Sequence, residues 1–96
     1  MIEYLYDAIR AVGGQEIAVA AAITDDAGYY ITEDCEFTIH TDDGELYTTP
    51  GLFVAETGEW LFNVPAVVTK GLKGRYWYCI RHKGTNICFK QPLYLI

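Results

Sequence analysis

The chain has 96 residues and a formal net charge of −6, and 51% of its residues are apolar, 21% charged and 15% aromatic. This size and composition suit one domain, residues 1–96, with one modest hydrophobic core, so a two-domain protein is excluded. A disordered chain is also excluded, because the apolar and aromatic residues supply enough surface to offset the loss of chain entropy on folding.

The first dozen residues fit either of two elements. Apolar residues recur at helical spacing and a pair of glycines would end a short helix: Ile2, Leu5, Ile9 and Val12, followed by Gly13-Gly14. The competing interpretation is a first strand, because Tyr4 and Tyr6 suit a sheet and a two-layer sandwich needs an edge there. We favour the strand and keep the short N-terminal helix as the alternative.

From residue 15 onward, apolar and polar residues alternate with a period of two, which is typical of an all-β domain. The predicted strands cover residues 15–24, 35–40, 46–49, 53–55, 60–64, 75–82 and 87–96. Turns or a connection separate them at Asp25-Asp26-Ala27-Gly28, Asp43-Gly44, Thr57-Gly58 and residues 66–74. The side chains predicted to face the core include Ile17, Val19, Ala21, Ile23, Trp60, Phe62 and Val64.

The last hairpin has a register that its turn predicts. A turn centred on Gly84-Thr85 places opposite each other residues whose numbers add to 169, so Tyr76 faces Leu93 on the core side. The reverse face then carries a cluster of aromatic and basic side chains: Trp77, Tyr94, Arg81 and Lys90. Exposed tryptophan, tyrosine and arginine are typical of protein interaction hot spots. Two interpretations stay open: the cluster is an interface, or the N-terminal segment covers it.

The charges are separated along the chain. Residues 1–62 hold all thirteen acids and a single base, Arg10, whereas residues 63–96 hold six bases and no acid. We expect acidic and basic side chains to meet across the sheet, since such pairs are common. The more specific alternative is a charged surface that contacts the opposite charge on a neighbouring subunit. Nucleic acid is not an expected partner, because the acidic part of the chain would repel phosphates.

Two segments resemble the bacterial and phage immunoglobulin-like β-sandwich domains. Residues 14–28 are similar to their second strand and the turn after it. Gly74-Arg-Tyr76 is similar to the corner in which a tyrosine hydroxyl bonds back to the loop before its strand. The resemblance implies an immunoglobulin-like antiparallel β-sandwich of seven to eight strands, with Tyr76 and Gly74 at the structural corner. Tyr78 and Val19 stand where antibody-type domains carry inter-sheet cysteines, which favours a reduced relative made in the cytoplasm.

The chain lacks the residues of the common catalytic sites, so we expect no enzymatic activity. It contains no serine, and a cysteine nucleophile would need His40 or His82 held beside it by a third group. Paired acids fall in predicted turns, where their side chains are expected to bond the local backbone: Asp25, Asp26, Glu33 and Asp34. A calcium ion held by these four is the alternative, although no twelve-residue calcium loop is present. We expect no other metal and no cofactor.

The three cysteines are expected to be reduced thiols. Cys79 and Cys88 share a face of the last hairpin but are offset by two residues, which disfavours a disulfide, and their spacing does not suit a zinc site. Glu3 and Asp7 stand where a signal peptide would carry basic residues, so we expect synthesis in the cytoplasm without a signal peptide. The longest apolar run, residues 17–23, is too short to span a membrane, which takes about 20 residues.

The sequence therefore predicts a non-catalytic structural or assembly module. By analogy with the small accessory modules of phage particles, we expect a phage or prophage virion component of the tail, baseplate or head fibre. The expected partner is a protein, in a homo-oligomer or a larger virion assembly, with no nucleic acid and no membrane. A carbohydrate-binding module that uses the exposed aromatic rings is the alternative.

Overall fold

Eight strands and one short helix are formed in the part of the chain that this computed structural model describes, residues 8–25, 27–83 and 90–96. The strands are β1 (Ile9–Ala11), β2 (Ile17–Ala22), β3 (Cys35–Thr41), β4 (Gly44–Pro50), β5 (Leu52–Val54), β6 (Glu59–Val64), β7 (Gly74–His82) and β8 (Gln91–Leu95). The helix is α1 (Ala66–Thr69). The predicted all-β fold is confirmed.

The strands form two sheets that pack face to face. The large sheet has five strands in the order β1-β8-β7-β3-β4, and the small sheet has three in the order β2-β6-β5. The described strands therefore form a two-layer β-sandwich. One pair departs from the predicted antiparallel arrangement, because β1 runs parallel to β8, with Ile9 beside Leu93. No short turn joins these two strands, so nothing local in the sequence sets their relative direction.

The core lies between the two sheets. Its buried members are Ile17, Val19, Ala21, Ile23, Cys35, Phe37, Ile39, Trp60, Phe62, Val64, Tyr78, Ile80, Leu93 and Leu95, which include all seven inward positions predicted above. Phe37 of the large sheet stacks on Tyr78 with 5.3 Å between ring centroids and lies 5.9 Å from Phe62 of the small sheet. Trp60 donates a hydrogen bond from its indole nitrogen to the Ile31 carbonyl at 2.6 Å, which satisfies its polar group inside the core.

Helix α1 occupies part of the connection predicted over residues 66–74. It ends at Thr69, whose side chain is fully buried. The Thr69 hydroxyl accepts a hydrogen bond from the backbone N–H of Gly14 at 3.0 Å and donates one to the carbonyl of Gln15 at 3.2 Å. This side chain therefore ties the helix to the segment that leads into β2.

The N-terminal part of the described chain is a strand, as favoured above. β1 occupies residues 9–11, whereas residues 1–7, which hold the rest of the ambiguous stretch, lie outside the described residues. Gly13 does not end a helix but marks a close approach of two segments, because a Cβ atom there would collide with the backbone carbonyl of Leu72.

Candidate interaction surface

The register of β7 and β8 agrees with the predicted one. The opposed residues add to 169 throughout, as in Arg75 with Tyr94, Tyr76 with Leu93 and Trp77 with Pro92. Trp77 and Tyr94 therefore lie on the outer face of the large sheet, whereas Tyr76 packs against the core. Residues 84–89 of the predicted hairpin fall outside the described residues.

Two contacts between arginine and an aromatic ring organise this outer face. The guanidinium carbon of Arg75 lies 5.0 Å from the centroid of the Trp77 ring, and that of Arg10 lies 5.7 Å from the centroid of Tyr94. Tyr94 has Arg10 beside it on β1 and Arg75 beside it on β7. Both arginines are exposed and both rings are half-buried. These four residues and Pro92 are named the aromatic strip below.

Sequence reasoning missed the two arginines of the aromatic strip. Arg75 could have been found, because it precedes Trp77 by two residues in the same strand and so shares its face. Arg10 could not, since its position follows from the pairing of β1 with β8, which no local pattern indicates. The arginines that contact the two rings are thus Arg10 and Arg75, and the predicted cluster had Arg81 and Lys90 in their place.

Arg81 does not belong to the aromatic strip, because it pairs with acids of the neighbouring strands. Its guanidinium donates two hydrogen bonds to the Glu36 carboxylate, the one from Nε at 2.7 Å, and lies 3.6 Å from the Glu45 carboxylate. Lys83 approaches Glu36 at 3.9 Å. The carboxylate of Glu36 is only 10% exposed, so this ion pair is largely desolvated. Here the basic and acidic parts of the chain do meet across the sheet, as expected.

Lys90 is exposed and acts electrostatically on a buried histidine of the same face. His40 shares a hydrogen bond of 2.6 Å with the Thr38 hydroxyl, and that hydroxyl lies 2.8 Å from the sulfur of Cys79. Burial, together with the charges of Lys90 and Arg81, lowers the pKa of His40 below its usual 6.5, although the Glu45 carboxylate acts in the opposite direction. Because Thr38 is fully buried, its contact with the imidazole is closed to a substrate. Its contact with the Cys79 sulfur joins β3 to β7.

Comparison with known proteins gives no relative. No family model, no curated protein and no solved structure matches the chain. In the described ranges, no helix is long and apolar enough to cross a membrane.

The expectation of three reduced thiols is wrong for Cys79, which is disulfide-bonded. The predicted offset between Cys79 and Cys88 assumed that the ladder of β7 and β8 continues, but the described pairs end at Tyr78 and Gln91, and Cys88 lies outside the described residues. The cysteines therefore no longer favour a reducing compartment. Cys35 is a buried free thiol, and burial, together with the charge of Asp34, raises its pKa to about 12.

Among the paired acids that were weak calcium candidates, Asp25 has a local structural role. The Asp25 carboxylate accepts hydrogen bonds from the backbone N–H groups of Ala27 at 2.9 Å and Tyr29 at 3.0 Å, as expected for a turn acid. Glu33 and Asp34 are exposed, and Asp26 lies outside the described residues. Within the described ranges, no three His, Cys, Asp or Glu side chains are grouped as a metal site would require.

The predicted corner at Gly74 and Tyr76 has one of its two features. Gly74 begins β7 with φ at +102°, a backbone conformation that favours glycine. The Tyr76 ring packs against the core. The tyrosine corner stays a prediction.

Proposed function

We propose that this chain is a non-catalytic assembly module that binds a protein, either a second copy or another component, through the aromatic strip. The observation that carries the proposal is the pair of aromatic rings on the outer face of the large sheet, each in contact with an arginine. The resemblance given above makes a phage or prophage particle the proposed setting.

The composition and order of the strip support this role. Tryptophan, tyrosine and arginine are the side chains most enriched at the energetic centres of protein interfaces. Contact with a guanidinium and half-burial restrict Trp77 and Tyr94 before any partner arrives, which reduces the entropy lost on binding. The strip also stands on paired strands rather than on a loop, so its residues keep their spacing.

A carbohydrate-binding module is the weaker candidate. Sugar recognition by aromatic residues needs a ring face that the sugar can cover, with polar groups at its edge. At Trp77 and Tyr94, a guanidinium group already lies over the ring. A sugar would have to displace both arginines, whereas a protein surface that carries carboxylates can bind the arginines and the rings together.

The test is the molecular mass of the native protein measured over a range of protein and salt concentrations. We expect reversible self-association that weakens with salt, and we expect Trp77→Ala to weaken it by about tenfold or more. Tyr29→Ala is the matched control, because Tyr29 is an aromatic residue with 73% of its surface exposed and lies outside the strip.

A wild-type protein that stays monomeric at high micromolar concentration, while Trp77→Ala binds every partner unchanged, would remove the basis of the proposal. Binding to a glycan array, measured with and without calcium, tests the carbohydrate-binding alternative. Binding there that is lost in Trp77→Ala would favour the carbohydrate-binding role instead.

A further inference from the structure

A groove of about 530 Å³ lies on the outer face of the small sheet, on the opposite side of the sandwich from the aromatic strip. Ala18 and Ala20 of β2 and Leu61 of β6 form its floor, and Pro50 and Leu52 line the side where the chain crosses from β4 to β5. Leu52 is 67% exposed and Leu61 is 44% exposed. These two leucine side chains are therefore accessible to another molecule.

The register of the small sheet explains why this face is concave. Ala20 lies beside Leu61, and Leu61 lies beside Leu52, in one row across the three strands. The row rises from a methyl group on β2 to two leucine side chains on β6 and β5, so the surface is low at β2 and high at β5. Short alanine side chains thus leave room for a large side chain of a partner.

Acidic side chains flank this apolar floor. Glu16 lines one end of the groove, and Glu59, which lies opposite Ala22, stands near the other end on the same face. Six residues of strand separate Glu16 from Ala22, which corresponds to about 20 Å. The outward side chains of the described small sheet include no base.

The face of the large sheet has the inverse arrangement. Arg10 and Arg75 stand at one end of the aromatic strip, the Trp77 and Pro92 row comes next, and Lys90 follows two residues beyond Pro92. The rows of Tyr94 and Lys90 are four residues apart, about 13 Å, and the long basic side chains extend farther. Cations therefore flank an aromatic centre on one face, and carboxylates flank an apolar centre on the other.

We infer that copies of this chain associate head to tail, with the aromatic strip of one copy seated on the groove of the next. The occupant of the groove is a second copy, because the opposite charges stand in the same order on the two faces of one molecule. This inference rests on the proposed function and names its partner. Since the two contacting surfaces differ, each added copy leaves a free strip and a free groove, so the assembly grows until it closes into a ring or stays an open stack.

The test uses two variants, each of which disables one face. Ala20→Arg fills the groove with a bulky cation, and Arg75→Gln combined with Trp77→Ala removes the centre of the strip and one of its charges. Alone, each variant is expected to be monomeric where the wild type forms larger species. Mixed in equal amounts, the two are expected to form dimers and nothing larger, because one intact strip and one intact groove remain.

Two further variants keep the result interpretable. Ala55→Arg makes the same substitution at an exposed alanine outside the groove and is expected to assemble as the wild type does. Asn63→Arg blocks the groove from an exposed position and replaces Ala20→Arg if that variant fails to give the wild-type circular dichroism spectrum.

The outcomes separate this inference from the proposed function. If the strip variant abolishes self-association and the groove variants leave it intact, the head-to-tail arrangement is overturned and the strip remains an interface. A mixture that stays monomeric also overturns it. A wild type that is monomeric at every concentration and salt overturns the inference as well, and the proposed function then fails only if Trp77→Ala binds every other partner unchanged.

Discussion

Replacement of Arg81 by methionine is expected to destabilise the fold rather than to weaken association. The variant leaves the Glu36 carboxylate, which is 10% exposed, without its main partner. Removal of one partner of a fully buried ion pair costs about 3–5 kcal/mol. Because Arg81 is 26% exposed and Lys83 lies 3.9 Å from Glu36, we expect a smaller loss, about 2–3 kcal/mol of the free energy of unfolding.

Urea denaturation followed by tryptophan fluorescence measures this loss, which corresponds to a melting temperature lower by roughly 10–20 °C in a domain of this size. Lys83→Met is the matched control, since the Lys83 side chain is 62% exposed and its removal should change the free energy of unfolding by less than about 0.5 kcal/mol. The double variant Glu36→Leu with Arg81→Met should recover much of the stability, because no charge is then left unpaired. Equal losses in Arg81→Met and Lys83→Met would refute this reasoning. If the Arg81→Met protein is fully stable but self-associates more weakly, Arg81 is part of the interface.

Three other outcomes are expected. Because its pKa is raised to about 12, the Cys35 thiol should react with iodoacetamide at pH 8 far more slowly in the folded than in the urea-unfolded protein. The intact mass of the unfolded protein should show more alkylated cysteines after reduction than before it, since Cys79 is disulfide-bonded. Because the pKa of His40 is lowered in the folded protein, the unfolded state binds a proton at a higher pH than the folded state does. His40 therefore decreases the free energy of unfolding as the pH falls below 6.5 and leaves it constant above that pH. A wild-type urea midpoint that is the same at pH 5 and pH 7.5 would contradict this. Thr69→Val removes the hydrogen bonds to Gly14 and Gln15 and should cost about 1–3 kcal/mol in the same urea assay, whereas Thr57→Val, at an exposed turn, should cost less.

Much of the sandwich could be predicted because its strands carry their pattern locally. The period-two alternation located β2, β3, β6 and β7, and the position of a single turn set the register of β7 on β8. Both signals act within a few residues of the chain. The parallel pairing of β1 with β8 has no such signal, since more than 80 residues separate Ile9 from Leu93.

The candidate site was predicted in part for the same reason. The face of Trp77 and Tyr94 follows from the hairpin register, which the sequence determines. The ion pair between Arg81 and Glu36 depends on β3 lying beside β7, and this neighbour relation is not visible from the hairpin alone. Glu36, Thr38 and His40 alternate along β3 with the core residues Cys35, Phe37 and Ile39, yet they too are buried, by one another and by their cross-strand neighbours.

The parallel pairing of β1 and β8 has a mechanical consequence. The backbone hydrogen bonds between Ile96 and Ala11, and between Gly13 and Ile96, each 3.0 Å long, extend this ladder at its end. Because the strands point the same way, tension applied between residue 9 and residue 96 slides one strand along the other and stresses these bonds simultaneously, not singly as in the unzipping of a hairpin. A chain coupled to its surroundings through these two strands would resist stretching. The lifetime of the folded state under load would be governed by the rate at which β1 and β8 separate by shear.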